Sequence, residues 1–169
     1  MIPEPVLRIL RHPDSNKVLS VLSPEGFPHS IVLGALMADE DGSIYVGEAF
    51  MYRTVKYLEA CPNAEFLVWK GKDGYSLRAV AEKRITEGPE FDRMSELLDK
   101  KGMHAVAVWV FRSVEVWDES ASKTSGERVL RWTYLARDGS RASFCSYRSF
   151  SPWSDLQSIS GGPFSPGFC

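Results

Sequence analysis

The sequence predicts a mainly β fold: an antiparallel six-stranded barrel or sandwich that carries two short helices. Three observations carry that reading. Six runs rich in β-branched and aromatic residues recur between residues 18 and 117, the composition expected of half-buried strands. Most are joined by tight turn sequences such as Asp39-Glu40-Asp41-Gly42 and Gly71-Lys72-Asp73-Gly74, which are too short for the crossovers that parallel pairing requires. Alternating strand and helix patterns, the mark of a parallel sheet, are missing.

The chain enters through residues 3–12, a short helix or extended lead-in with Val6, Leu7, Ile9 and Leu10 apolar and Pro13 closing it. Val18–Leu22 is the first strand, and Ser23-Pro24-Glu25-Gly26 turns the chain. His29–Ala38 reads as one long apolar strand with Gly34 inside it. A glycine there marks either a bulge or a place where a ligand approaches the backbone closely. After the 39–42 turn comes the strand Ser43–Gly47, then a helix running to Cys61 and stopped by Pro62. Glu65–Lys70 and Tyr75–Thr86 are the next two strands. Gly88-Pro89-Glu90 opens the second helix, with proline in a tolerated first-turn position and an acid that complements the helix dipole. Phe91, Met94, Leu97 and Leu98 form its apolar stripe, and Gly102 ends it. Ala105–Trp117 is the most apolar strand of the chain.

These elements make residues 1–118 one domain. Beyond it, Arg128–Ala136 and Ala142–Tyr147, around the turn Arg137-Asp138-Gly139-Ser140, can form an extra hairpin within 119–148. Residues 149–169 are rich in Ser, Gly and Pro and read as a flexible tail.

A chain of 169 residues, 44% hydrophobic and 25% charged, can bury a sizeable core. The net charge of −2 leaves no global basic field to hold nucleic acid. It is uneven: residues 1–118 carry 14 Lys+Arg against 18 Asp+Glu, whereas 119–169 carry 6 against 4, which sets the last stretch apart in composition. The longest apolar run, Ala105–Phe111, is far too short to span a bilayer, and residues 1–8 hold no apolar run of signal-peptide length. Cys61, Cys145 and Cys169 have no paired spacing for zinc, and His12, His29 and His104 lie in separate segments, so no metal site is expected. A reducing cytoplasm is the default location.

The stretch from Gly47 to Pro62 carries the chemistry. Arg53 and Thr54 fall in the first turn of its helix, where backbone N–H groups lack internal partners and the dipole presents its positive end. An arginine fork and a hydroxyl placed there suit a phosphate. An exposed arginine beside a threonine that caps the helix is the competing reading. Trp69 and Lys70 end a neighbouring strand and stand either as ligand partners or as a core ring and a solvated strand end.

Three stretches together resemble the pyridoxamine-5′-phosphate-oxidase-like flavin-binding split barrels, in particular their small FMN-binding members, over residues 5–118. They are Met51-Tyr52-Arg53-Thr54-Val55-Lys56-Tyr57-Leu58 with Pro62; Gly74-Tyr75-Ser76-Leu77-Arg78-Ala79-Val80-Ala81-Glu82 running into Thr86-Glu87-Gly88-Pro89-Glu90-Phe91; and Pro28-His29-Ser30-Ile31-Val32-Leu33-Gly34. The resemblance implies a six-stranded split barrel that holds FMN across a homodimer interface, with strand 105–117 as a buried element of that interface. It places the phosphate on Arg53 and Thr54 beside Met51 and Tyr52, and the ring edge along Leu33, Gly34 and Ala35, with Trp69 and Lys70 nearby. Tyr57 and Tyr52 depart from the family, where many members carry Asn, and Ser or His, respectively. A C-terminal substrate region like that of true pyridoxamine-phosphate oxidases is also missing.

The resemblance thus implies an FMN-dependent oxidoreductase acting on a small molecule or a redox protein, with no side chain required as acid or base, because the flavin performs the chemistry. A non-catalytic FMN-binding or electron-transfer protein is the alternative, as is a deazaflavin- or haem-binding relative. A small barrel that binds RNA or protein through exposed aromatics lacks the basic face it would need.

Overall fold

The computed structural model describes residues 1–131 and, of Arg131, the backbone. Three helices and eight strands follow in the order α1 (Glu4–Arg11), β1 (Asn16–Leu22), β2 (Pro28–Val32), β3 (Leu36–Ala38), β4 (Ser43–Glu48), α2 (Tyr52–Ala60), β5 (Asn63–Lys70), β6 (Asp73–Ile85), α3 (Pro89–Asp99), β7 (Ala107–Asp118) and β8 (Arg128–Arg131). All strand pairs are antiparallel. The sheet order is β2-β1-β5-β6-β7-β4-β3, with β8 also on β7.

The expected strand His29–Ala38 is two strands, not one. β2 forms one edge of the sheet against β1, and β3 forms the opposite edge against β4. Only residues 33–35 separate them, a stretch that spans at most about 14 Å. Two sheet edges joined by so short a link force the sheet to curl into an incomplete barrel, and the break at Gly34 is what allows the chain to change edges. β8 adds the eighth strand, and the 3–12 lead-in is a helix.

The barrel interior follows from strand alternation. Leu19, Phe66, Leu77, Phe111 and Val116 are buried at 0% exposure, and Phe66 and Phe111 meet edge to face with centroids 5.1 Å apart. Helix α1 turns Val6, Leu7, Ile9 and Leu10 onto this core, and the Ile2 N–H bonds to the Glu40 carbonyl to hold the chain start in place. On the other face, Met94 and Leu98 of α3 pack with Tyr45, Val108 and Val110. The fit is tight at Gly47, where an added Cβ would stand 2.7 Å from Cδ1 of Leu98 and 2.9 Å from Cγ of Met94.

Strand β7 lies inside the sheet between β6 and β4, and Ala107–Phe111 are buried by this single chain. Its apolar character is therefore accounted for by the core of one chain. Folded structure also continues past residue 118. The Glu119 N–H bonds to the Gly74 carbonyl, the Ala121 N–H to that of Lys72, and buried Ser120 both accepts from and donates to the Gly74 backbone. Of the expected hairpin, β8 is present on β7; its remainder and the 149–169 tail lie outside the described residues. Among the described residues, no helix is long and apolar enough to cross a membrane.

Candidate functional site

Helix α2 leaves its N-terminus open. Its N-cap is Met51, which offers no side-chain cap, and its first turn holds no acidic residue. The first helical backbone bond runs from the Val55 N–H to the Met51 carbonyl, so the N–H groups of Tyr52, Arg53 and Thr54 precede the ladder and point out of the helix. With the helix dipole behind them, these groups form an anion-accepting end.

Thr54 does not cap the helix. Its side chain is buried at 1% exposure and its Oγ1 lies 3.1 Å from Nε2 of His29, at the start of β2. The His29 ring stands edge-on to Tyr57 at 5.4 Å, and the Arg53 guanidinium sits 6.0 Å from the centre of the same Tyr57 ring. Arg53 itself is exposed and forms no ion pair among the described residues. Burial first, and then the positive charge of Arg53, push the His29 pKa below its ordinary value, so at neutral pH the ring is uncharged and bonds to Thr54 as a neutral partner. Sequence reasoning missed His29 as part of this constellation. The i, i+4 spacing of Arg53 and Tyr57 was the available signal for one half of it.

The residues expected to meet a ring begin at the other end of β2. As an edge strand, β2 leaves one row of backbone groups without a strand partner. From His29 to Leu33 this edge runs four residues, about 14 Å, and ends at the bend of Leu33, Gly34 and Ala35. Gly34 is exposed. Its carbonyl accepts from Nζ of Lys101, and an added Cβ would meet Cε of Met103 at 3.0 Å. Arg53, Thr54 and the 33–35 bend thus lie along one open edge.

The other expected residues divide. Tyr52 is 75% exposed beside the helix end, with Phe50 71% exposed next to it, whereas the Met51 side chain belongs to the core at 6%. Trp69 is half-buried and pairs with Asn16, two strands in from the 33–35 bend, a lateral separation of about 10 Å. Lys70 turns away toward α1, where its Nζ lies 2.6 Å from Nε2 of His12. Within one chain, Lys70 is not brought to Arg53.

A buried polar unit braces the approach to α2. Glu48 ends β4 at 8% exposure and accepts two hydrogen bonds from Arg84, at 2.7 and 2.8 Å, and one from the Trp109 indole at 2.8 Å. The Arg84 bonds dominate in holding its carboxyl below the usual glutamate range. These three hydrogen bonds, from two partners, satisfy a charge that would otherwise be costly at this depth. They fix the end of β4 three residues before the first turn of α2.

No protein-family model matches this chain, and no curated protein matches it. Solved structures do. An FMN-binding protein from Syntrophomonas wolfei superposes with a TM-score of 0.63 at 21% identity, over 69% of this chain and 85% of the other. A pyridoxamine 5′-phosphate oxidase candidate from Lactobacillus delbrueckii gives 0.56 at 13% identity, over 69% and 93%. An F420 reductase gives 0.55 at 15% identity, over 68% and 98%. The fold of this chain is therefore the split barrel of the pyridoxamine-5′-phosphate-oxidase-like proteins.

Proposed function

We propose that this protein binds FMN and acts as a flavin-dependent oxidoreductase. The observation that carries the reading is the uncapped N-terminus of α2, with exposed Arg53 beside it and Thr54 bonded to His29, at the head of an open strand edge that ends in the 33–35 bend. The donor set fits a phosphate: three backbone N–H groups that precede the helix ladder and an exposed guanidinium, with no carboxylate in the turn to oppose it, and buried Thr54 behind them bonded to His29. The edge of β2 and the bend offer backbone donors and acceptors to the polar rim of a ring system, which is what a flavin requires. Bound FMN would supply two-electron redox chemistry. The protein's own part is to hold the phosphate at Arg53 and Thr54 and to orient the ring edge at Leu33–Ala35.

The likeness to an FMN-binding protein of the same fold supports this reading. The F420 reductase among the neighbours makes a deazaflavin the ligand to test against it. We place the substrate among small molecules or redox proteins of the cytoplasm. The working form is read as a homodimer, supported by the apolar row of Val32, 83% exposed, Val18 and Leu67, 38% exposed, which stand side by side on β2, β1 and β5. The absorption spectrum of purified protein, with mass identification of whatever denaturation releases, tests the proposal. A flavin spectrum and released FMN are expected; a released deazaflavin or haem would replace the FMN reading.

A further inference from the structure

The turn that closes α3 sits against the 33–35 bend, where the proposed ring edge lies. Gly102 takes the left-handed conformation at φ 70° and ends the helix. Around it, the Lys101 and Met103 N–H groups both donate to the Leu98 carbonyl, at 2.9 and 3.0 Å. Leu98 is buried in the cluster of Met94, Tyr45 and Val108, so the turn takes its position from the core. Two of its side chains reach the bend. Nζ of Lys101 donates to the Gly34 carbonyl. The Met103 methyl lies over Gly34, where any Cβ would meet it at 3.0 Å, and Met103 and Ala35 pack on the same cluster.

This contact leaves a cation at the bend without a counter-ion. Lys101 is exposed, and among the described residues no carboxylate forms an ion pair with it. The Gly34 carbonyl takes one hydrogen of its ammonium, and the others remain for a further acceptor. Beside it, the exposed Gly34 has an N–H with no acceptor among the described residues. Lys17 is a second cation close by. Its carbonyl accepts from the Leu33 N–H at 2.9 Å, but its ammonium is engaged by the His12 and Ser15 carbonyls and the Ser15 hydroxyl. Burial first, and then the charge of Lys101, hold the Lys17 pKa below its ordinary value, so each ammonium feels the other's charge.

The bend thus offers donors and positive charge to a ring edge rich in acceptors, as the N1 and C2-carbonyl edge of a flavin is. We propose, on the FMN reading above, that Lys101 meets this edge and stabilises the reduced ring over the oxidised one. The ring of oxidised FMN is neutral. Taking up two electrons and one proton, as a hydride from the donor, makes it an anion with its charge at N1 and the C2 oxygen. An ammonium fixed at that edge attracts the anion more strongly than the neutral ring. Such differential binding draws the redox equilibrium toward the reduced form, whereas equal binding of both forms would shift nothing. Lys101 is a positioning and tuning residue in this account, since charge near N1 is one of the means by which a protein sets flavin electronics.

The test is the reduction potential of FMN bound to the full chain, set against a reference dye, in the parent, Lys101→Met and Lys101→Arg. A fluorescence titration gives the affinity of each protein for oxidised FMN. Lys101→Met is expected to bind oxidised FMN within a few-fold of the parent. Reduced FMN should bind it about tenfold more weakly, the effect of losing one charge-assisted bond, which lowers the two-electron potential by about 30 mV. Lys101→Arg keeps the charge and should hold the potential near that of the parent. Lys101→Gln serves the same comparison if the methionine variant fails to fold. An unchanged potential in a neutral variant that still binds FMN overturns the role of Lys101 and leaves the FMN reading standing. An equal fall in the arginine and methionine variants also overturns it, since charge is then not the cause. A parent that binds no FMN overturns both.

Discussion

Replacing Arg53 with alanine separates a phosphate ligand from a structural helix residue. Arg53 is exposed, and its one aromatic contact is a 6.0 Å approach to the Tyr57 ring, which at an exposed site contributes about 0.5–1 kcal/mol. The fold should therefore lose at most about that amount, and the thermal midpoint should move little. Binding of FMN is another matter. Removing a charged hydrogen-bond partner of a phosphate costs roughly 1.5–3 kcal/mol, and about 1.4 kcal/mol is tenfold in affinity. FMN should therefore bind Arg53→Ala about ten- to a hundredfold more weakly. Riboflavin has the same ring and no phosphate, so its affinity for parent and variant should be nearly equal. The assay is a paired fluorescence titration of both ligands against both proteins, with a melting curve for each. Equal loss for both ligands, or loss for neither, would refute the assignment of Arg53 to the phosphate.

Three further outcomes follow from the packing. Glu48→Gln should destabilise the protein at neutral pH by about 1–3 kcal/mol, because it leaves the Arg84 fork without its charged acceptor. Glu48 is held below its ordinary value of 4.5, so its stabilisation is complete above that value and is lost as pH falls through the folded one; an acid denaturation series should show the parent losing more stability than the variant in that range. Gly47→Ala should cost about 1–3 kcal/mol in a denaturant melt, since the new methyl would stand 2.7 Å from Leu98 and 2.9 Å from Met94, both buried; an unchanged midpoint would show that α3 sits further from β4. Ser120→Ala should cost about 1–3 kcal/mol in a denaturant melt, as it removes both side-chain bonds to the Gly74 backbone; an unchanged midpoint would show that these two bonds do not contribute to stability.

Much of the fold was legible because its signals are local. The turns at 39–42 and 71–74, Pro62, and the Gly88-Pro89-Glu90 opening each act within a few residues of where they stand, and each element there forms as expected. What escaped is non-local. An apolar run from 29 to 38 looks the same whether it pairs with one neighbour or leaves one sheet edge for the other, and only the closure of the sheet breaks it at Gly34. Apolar periodicity stops at residue 118, and the bonds that hold Ser120 to the Gly74 backbone leave no periodic trace. At the site, the helix start and the placement of Arg53 and Thr54 were readable from spacing. The bond from Thr54 to His29 joins residues 25 apart, and the buried Glu48 partners are contributed by β6 and β7. No window of sequence contains either contact.

On the proposed reading, this split barrel holds FMN with its phosphate at the start of α2. The most direct test is an equilibrium titration of the purified chain against FMN, followed by quenching of flavin fluorescence. Saturation at one FMN per chain is expected, with riboflavin binding more weakly by about the ten- to hundredfold that a charged phosphate contact contributes. FMN fluorescence that stays unchanged up to a large excess of protein would contradict it.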